Sequence, residues 1–497
     1  PRAMIFFIIS VFSTIWFLIR VIPKPSRAAY PCMRIAAPMM SSLFIWVASL
    51  FTTAFTVKKA KSQFVGNHYF KAGLLSIAAV LTAFLFFTSL PDDSRANLEI
   101  WFNSNQPIGD ATGIHPGRVV WVHDPQVAQW DGKTGFWWED QYTSQAASDK
   151  MVSTALLSLT GQEREEKAWD ALFTDFNAGK KGKKQTFQPH EKIAVKINQN
   201  NTSGHENTNE INTSPQLVLS LLKSLIEKAQ VPQQNITVFD ASRYITDNVY
   251  LKCIAVFPDV RFVDHSGNDG RIKSTYVENA IPYSADNGLL ARGLAACAVE
   301  ADYLINMAIL KGHVGQGVTL CAKNYYGVTS IDPDWRRNAH DNFNQNRDGS
   351  PRYMTFTDFM GHKDLGGKTI LFILDAYYGN KFVNGFPGFK WQMAPFDNHW
   401  PSSLFMSQDG VAIDAVGMDF IINEFPDAPD MPFCDSYLKE CALADQPPSG
   451  TVYDPEQDGT KLKSLGVFEH WNNAQDKQYS LNLNPAASGI ELVRIQD

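Results

Sequence analysis

The chain has no excess of positive charge, no cysteine cluster and none of the short loops that announce the commonest enzymes. Its 44 Lys and Arg stand against 51 Asp and Glu, a net charge of −7. That balance argues against nucleic acid as the main partner, because backbone phosphates are met by basic surfaces. Six cysteines are scattered over 497 residues: Cys32, Cys253, Cys297, Cys321, Cys434 and Cys441. None shows the C-x-x-C spacing of a zinc site or the clustering of an iron–sulfur centre, so no iron–sulfur cluster is expected. Cys434 and Cys441, in FCDSYLKEC, either close a small disulfide loop in an oxidising compartment or remain ordinary thiols. G-x-G-x-x-G, the phosphate loop, G-x-S-x-G and H-E-x-x-H are all missing, and with them the signatures of the dinucleotide, nucleotide, hydrolase and zinc-protease classes.

Charge is also missing locally. Residues 3–19, 35–57 and 72–90 contain no charged side chain, and each is close to the roughly 20 apolar residues that cross a bilayer as a helix. They are apolar all round rather than striped, unlike amphipathic core helices. Three such runs differ from a single secretory signal. The expectation is a membrane anchor over 1–92 with three transmembrane helices and the lipid bilayer as partner through 3–22, 35–57 and 72–90. Lys58, Lys59, Lys61 and Lys71 between the second and third runs outnumber Lys24, Arg27 and Arg34 between the first two. The positive-inside rule then places the remainder of the chain on the periplasmic, exoplasmic side of a bacterial inner membrane.

Residues 93–497 read as a single large α/β domain. RVVWVHD (118–124), EKIAVKIN (191–198) and NITVFDAS (235–242) have the length and β-branched content of strands. Between the last two, SPQLVLSLLKSLIEKAQ (214–230) carries Leu217, Val218, Leu221, Leu222 and Ile226 at helical spacing behind a Ser-Pro start. ADYLINMAIL (301–310) and KTILFILDAYYG (368–379) continue the strands, and SLFMSQDGVAIDAVGMDFII (403–422) reads as strand, turn and helix. This alternation predicts an α/β fold with a mainly parallel sheet and helices on both faces. Residues 331–363 are polar and irregular, a loop long enough to be functional or disordered. Residues 380–402 are aromatic and rich in Pro and Gly, as a lid is.

In an open parallel sheet, ligands bind beyond the carboxyl ends of the strands. Polar groups collect after each expected strand: Asn198, Asn200, Asn201, His205 and Glu206; Asp240 and Ser242; Lys311 and His313; Asp375; Asp409 and Asp414. Lys311 and Lys323 are the sharpest members, since a lysine buried at a strand end needs an anionic partner. That partner is either a ligand or an internal carboxylate such as Asp240 or Asp375. The expected catalytic groups are Lys311, His313 and Lys323. Lys196, Asn198, Thr213, Asp240, Thr319, Asn324, Asp375 and Asp409 are expected to bind the ligand, and His205 and His340 to hold a divalent metal if one is used. NQNRDG (344–349) echoes half a calcium loop, but its twelfth position is Thr355 rather than glutamate, so it and DPEQDG (454–459) read better as turns.

The stretch INMAILKGHVGQGVTLCAKNYYG resembles the bacterial and archaeal family known as domain of unknown function 362. The resemblance rests on a strand, a K-x-H and a V-T-x-x-x-K-N-x-x-G turn, here Lys311, His313, Thr319, Lys323, Asn324 and Gly327. AVKIN, INTSPQLVLSLL and SQDGVAIDAVGMDF (with Asp409 and Asp414) resemble further segments of the same family, and together they cover about 190–425. Members are often exported and some carry ferredoxin-like modules, a feature from which this cysteine pattern departs. Two functional readings stand side by side. One is a membrane-anchored exoplasmic protein that binds a small anionic ligand, with or without a divalent metal, and acts on it. The other is an accessory or structural subunit of a larger membrane complex, redox complexes included, with no catalysis of its own.

Overall fold

The structure is a computed structural model that describes residues 103–285, 290–330, 350–428 and 431–496, together with part of 52–78. The chain divides into two compact units, Pro1–Trp101 and Phe102–Asp497. The three expected membrane spans fall mainly outside the described residues. Among the described residues, no helix is long and apolar enough to cross a membrane.

The second unit is built on one sheet of ten strands. In chain order its strands are β1 (Arg118–His123), β2 (Ile193–Lys196), β3 (Ile236–Asp240), β4 (Arg261–Asp264) and β5 (Ile272–Lys273). A separate pair, β6 (Tyr276–Val277) and β7 (Leu294–Ala295), comes next. The sheet then resumes with β8 (Tyr303–His313), β9 (Gly317–Thr319), β10 (Thr369–Asn380), β11 (Ser403–Ser407) and β12 (Glu491–Gln496). Across the sheet the order is β12-β1-β11-β10-β8-β2-β3-β4-β5, and β9 folds back antiparallel on the end of β8. From β10 to β5 every neighbouring pair is parallel.

Strands buried on both faces need continuous apolar runs, and β8 and β10 supply them: all eleven and all twelve of their residues are buried. One face is covered by α1 (Gln145–Thr160), α2 (Glu165–Lys181) and α3 (Pro215–Lys223), whose Met151, Leu156, Trp169, Leu217 and Leu221 pack with Val195, Ile305 and Ile373. α1 starts at Ser144, which accepts the Ala147 N–H, and stops at Gly161 with φ 69°. α2 places Glu165 and Glu166 in its first turn and Lys180 and Lys181 in its last, matching the helix dipole. After α4 (Asp247–Ile254), α5 (Cys321–Asn324) and α6 (Thr355–Gly361), the other face receives α7 (Gly410–Glu424). α7 lies so close that a Cβ on Gly417 would stand 2.7 Å from Leu374 and 3.2 Å from Leu310. Its Phe420 meets Trp121 edge-on at 4.8 Å, sealing the β1 side.

The mixed α/β architecture with a mostly parallel central sheet matches the reading of the sequence, with three differences of position. β8 runs on through Lys311 and His313, so both are strand residues rather than loop residues. β10 likewise contains Asp375 in its interior. β11 is antiparallel to both β1 and β10, so Asp409 lies at the opposite edge from the carboxyl ends of β2, β3 and β8. There it caps α7, accepting the N–H groups of Val411 and Ala412, and binds those of Thr112 and Val467 as well. Cys434 and Cys441 are free thiols, and DPEQDG forms a turn in which Asp454 accepts from Asp458 and Gly459.

Asp409→Ala would orphan the three buried N–H groups of Val411, Ala412 and Val467 and release that of Thr112. The expected loss is about 2–4 kcal/mol of stability, read by thermal or urea unfolding. A variant as stable as the parent would contradict this role.

Candidate functional site

The strand order reverses between β2 and β8: β2 leads outward through β3 and β4, whereas β8 leads the other way to β10. A crevice opens at such a switch point. Here it is a small pocket, partly open to solvent, lined by residues that follow β2 and β3 and by the β8–β9 hairpin and α5.

One side of the pocket is electrically closed. Lys196 and Asp240, both buried, form an ion pair at 3.2 Å. The Lys196 ammonium also donates to Asn324 Oδ1 at 3.2 Å and to the Ile197 carbonyl. Asp240 accepts the N–H groups of Gln199 and Ser242 and the Ser242 hydroxyl. Asn198 Nδ2 donates to Asn324 Oδ1 at 3.1 Å, and Asn324 Nδ2 donates to Asn306 Oδ1 at 2.8 Å. Burial pulls the Lys196 ammonium below its ordinary value while Asp240 holds it up. Gly327 is required by this pair, since a Cβ there would lie 2.8 Å from Asp240 Oδ1 and 2.8 Å from Lys196 Nζ.

The other side is not closed. Lys311 is 0 % exposed, and its Nζ has no hydrogen-bond partner among the described residues. Opposite it in the β8–β9 register is Thr319, whose buried Oγ1 also lacks a partner. Lys323 sits on α5, which Asp414 anchors by accepting the N–H groups of Cys321 and Ala322 at 2.7 and 2.9 Å. Its ammonium faces the Tyr326 ring at 5.4 Å. Among the described residues no carboxylate forms a salt bridge with either lysine. Burial pulls Lys311 down to about 7, helped by the charge of Lys323. Burial likewise pulls Lys323 down to about 7, with the Arg243 guanidinium adding repulsion. Arg243 reaches the pocket from the end of β3 and is held by Asn200, through its carbonyl at 2.8 Å and its Oδ1 at 3.1 Å.

The structure therefore brings together Lys196, Asn198, Asp240, His313, Thr319, Lys323 and Asn324 around one pocket. Lys311 stands within electrostatic reach of Lys323 and Arg243. Four expected residues fall elsewhere or have another task. Thr213 accepts the Asn198 N–H at 2.8 Å and shapes the loop after β2. Asp375 does not orient a lysine; its carboxylate accepts the N–H groups of Ser214, ahead of α3, and Tyr377, and burial pushes its pKa up. Asp409 is at the far edge, as described. His205 has both ring nitrogens engaged, by Asp264 at 2.7 Å and Asp269 at 3.2 Å, and His340 lies outside the described residues. Among the described residues no group of three or more His, Cys, Asp or Glu is placed to hold a metal ion.

The sequence reading missed Arg243 and Tyr326. Arg243 is only three positions past Asp240 in DASR, so following each strand end one residue further would have found it. Tyr326 sits inside the Lys-Asn-Tyr-Tyr-Gly turn itself.

A switch-point pocket on a mostly parallel central sheet defines the class: a mixed α/β fold. Residues 193–419 match the family described as Domain of unknown function (DUF362), which shows the resemblance over the segment carrying β2 to β11 and the whole pocket. No curated protein and no solved structure matches the chain.

Gly327→Ala should push the Lys196–Asp240 pair apart and cost about 1–3 kcal/mol. Thermal unfolding measures it, and an unchanged midpoint would show that the turn has room to spare.

Proposed function

We propose that this pocket binds a small anion, a phosphate or a carboxylate, at Lys323 and Arg243, with the buried Lys311 charge within electrostatic reach of both. The observation that carries the reading is the Lys311 ammonium, wholly buried with no hydrogen-bond partner and beside a second lysine. An ion taken out of water costs several kcal/mol unless another charge meets it, and the nearby carboxylate of Asp240 is already held by Lys196. A bound anion meets that need, and the unpartnered Thr319 hydroxyl supplies a donor for it. The basic lining favours an anion over a bare divalent cation. Lysines with pKa values near neutrality are also suited to proton transfer, so Lys323 with His313 supplies acid/base chemistry on the bound molecule. Attachment to a membrane through 3–22, 35–57 and 72–90, with the pocket unit on the exoplasmic side, belongs to the same proposal and is supported by the uncharged runs and their flanking lysines.

Inorganic phosphate and malonate distinguish the two anion classes in calorimetric titration of the full chain. One of them should bind, and Lys323→Met and Lys311→Met should each weaken it about tenfold or more. Lys311→Met should at the same time raise the midpoint of the anion-free protein, since it removes a buried charge without a partner. No binding of either anion to the parent, or unaltered binding in both variants, would overturn the proposal.

The pH dependence has a fixed sign. Both lysines have folded pKa values of about 7 against an ordinary 10.5. Between these limits the unfolded chain holds more protons than the folded one, so anion-free stability rises as pH climbs from 7 towards 10. Anion affinity runs the other way, strongest below pH 7 and falling above it. Melting curves with and without phosphate or malonate check both slopes.

A further inference from the structure

A second cavity lies at the same edge of the sheet, where β1 ends at His123 and the antiparallel β11 begins. It holds about 650 Å³, partly open to solvent, and most of its far wall comes from the aromatic, Pro-rich segment after β10. Trp130 and Trp400 lie nearly parallel with centroids 6.1 Å apart, tied by the Trp400 indole N–H donating to the Trp130 carbonyl at 2.7 Å. Phe396 completes the aromatic lining and meets the His123 ring edge-on at 5.4 Å. Such walls favour a flat ring, which stacks or meets them edge-on.

The polar groups narrow the ligand further. Among the described residues lining the cavity, Lys390 is the one lysine or arginine and there is no Asp or Glu. Its ammonium stands 5.9 Å from the Trp400 ring centre. His123 is buried and donates its Nδ1–H to the Pro401 carbonyl at 3.0 Å, and His399 gives Nδ1 to the Phe396 carbonyl at 3.0 Å. Burial holds the His123 ring neutral by lowering its pKa. A neutral imidazole fixed through Nδ1–H keeps Nε2 as an acceptor, so the ring it faces needs a hydroxyl or N–H.

We infer that this cavity binds an aromatic acid carrying a hydroxyl group, its ring against Trp130 and Trp400, its carboxylate at Lys390 and its hydroxyl donating to an imidazole. The site is separate from the anion pocket and does not depend on it. The probe is 4-hydroxybenzoate, titrated calorimetrically into the full chain, with 4-hydroxycyclohexanecarboxylate as the non-aromatic control. Lys390→Ala and His399→Ala change exposed residues and leave the core intact. Each should weaken 4-hydroxybenzoate about fivefold, and the saturated ring should bind at least as much more weakly than the flat one. Lys323→Met should leave the affinity unchanged. Absence of binding to the parent overturns the inference, as does equal affinity for the saturated ring or indifference to both exposed variants. Weakening by Lys323→Met alone would place the acid in the anion pocket and overturn it too.

Discussion

Two buried lysine ammoniums that form no salt bridge among the described residues set the terms for the rest of this fold. Lys196 shows the ordinary solution, since Asp240 and Asn324 surround it and the charge is internal scaffolding. Lys323 lines the same crevice and the buried Lys311 lies within electrostatic reach of it, neither with a salt bridge among the described residues. Buried charge lacking a partner destabilises the native state, so it persists only where the surroundings hold it in place. Those surroundings are visible: two long strands buried along their whole length, α7 packed against them at Gly417, and α5 anchored to α7 through Asp414. The core stabilises, and the pocket uses part of that stability to present charge.

Much of this was legible from residues. The alternation of β-branched runs with one helix opened by Ser214-Pro215 gives the parallel block from β2 to β4, and Lys323, His313 and Asp240 converge because that block is parallel. Strand direction in the remainder was not legible. The segment SLFMSQDGVAIDAV has the same apolar run, polar turn and helix start whichever way β11 points, since local pattern encodes an element and not its neighbour. Its antiparallel placement carried Asp409 to the opposite edge, where the same carboxylate that reads as a site residue serves as a helix cap. Asp375 misleads for a related reason. An acidic residue late in an apolar strand reads as a strand end, whereas here β10 continues beyond it and Ser214 supplies the hydrogen bond that makes burial tolerable.

One segment of chain links the neighbourhoods of the two cavities. The segment after β10 passes directly over the β8 hairpin, so close that a Cβ on Gly312 would lie 2.1 Å from the Lys381 carbonyl. It is then fastened to the loop after β2, where Asn201 Nδ2 donates to the Val383 carbonyl at 2.9 Å and Glu210 accepts the Gly385 N–H at 2.6 Å. Further on it turns back at Trp391 and His399, which exchange a backbone bridge, and delivers Lys390, Phe396 and Trp400 to the aromatic cavity. One continuous piece of chain therefore touches the hairpin that carries Lys311 and His313 and also forms the wall of the second cavity. Displacing its near end would move Gly312 and the two strand residues flanking it; displacing its far end would open the tryptophan pair. Because the fastening hydrogen bonds lie between these ends, the segment ties the β8 hairpin and the wall of the second cavity to one sheet edge.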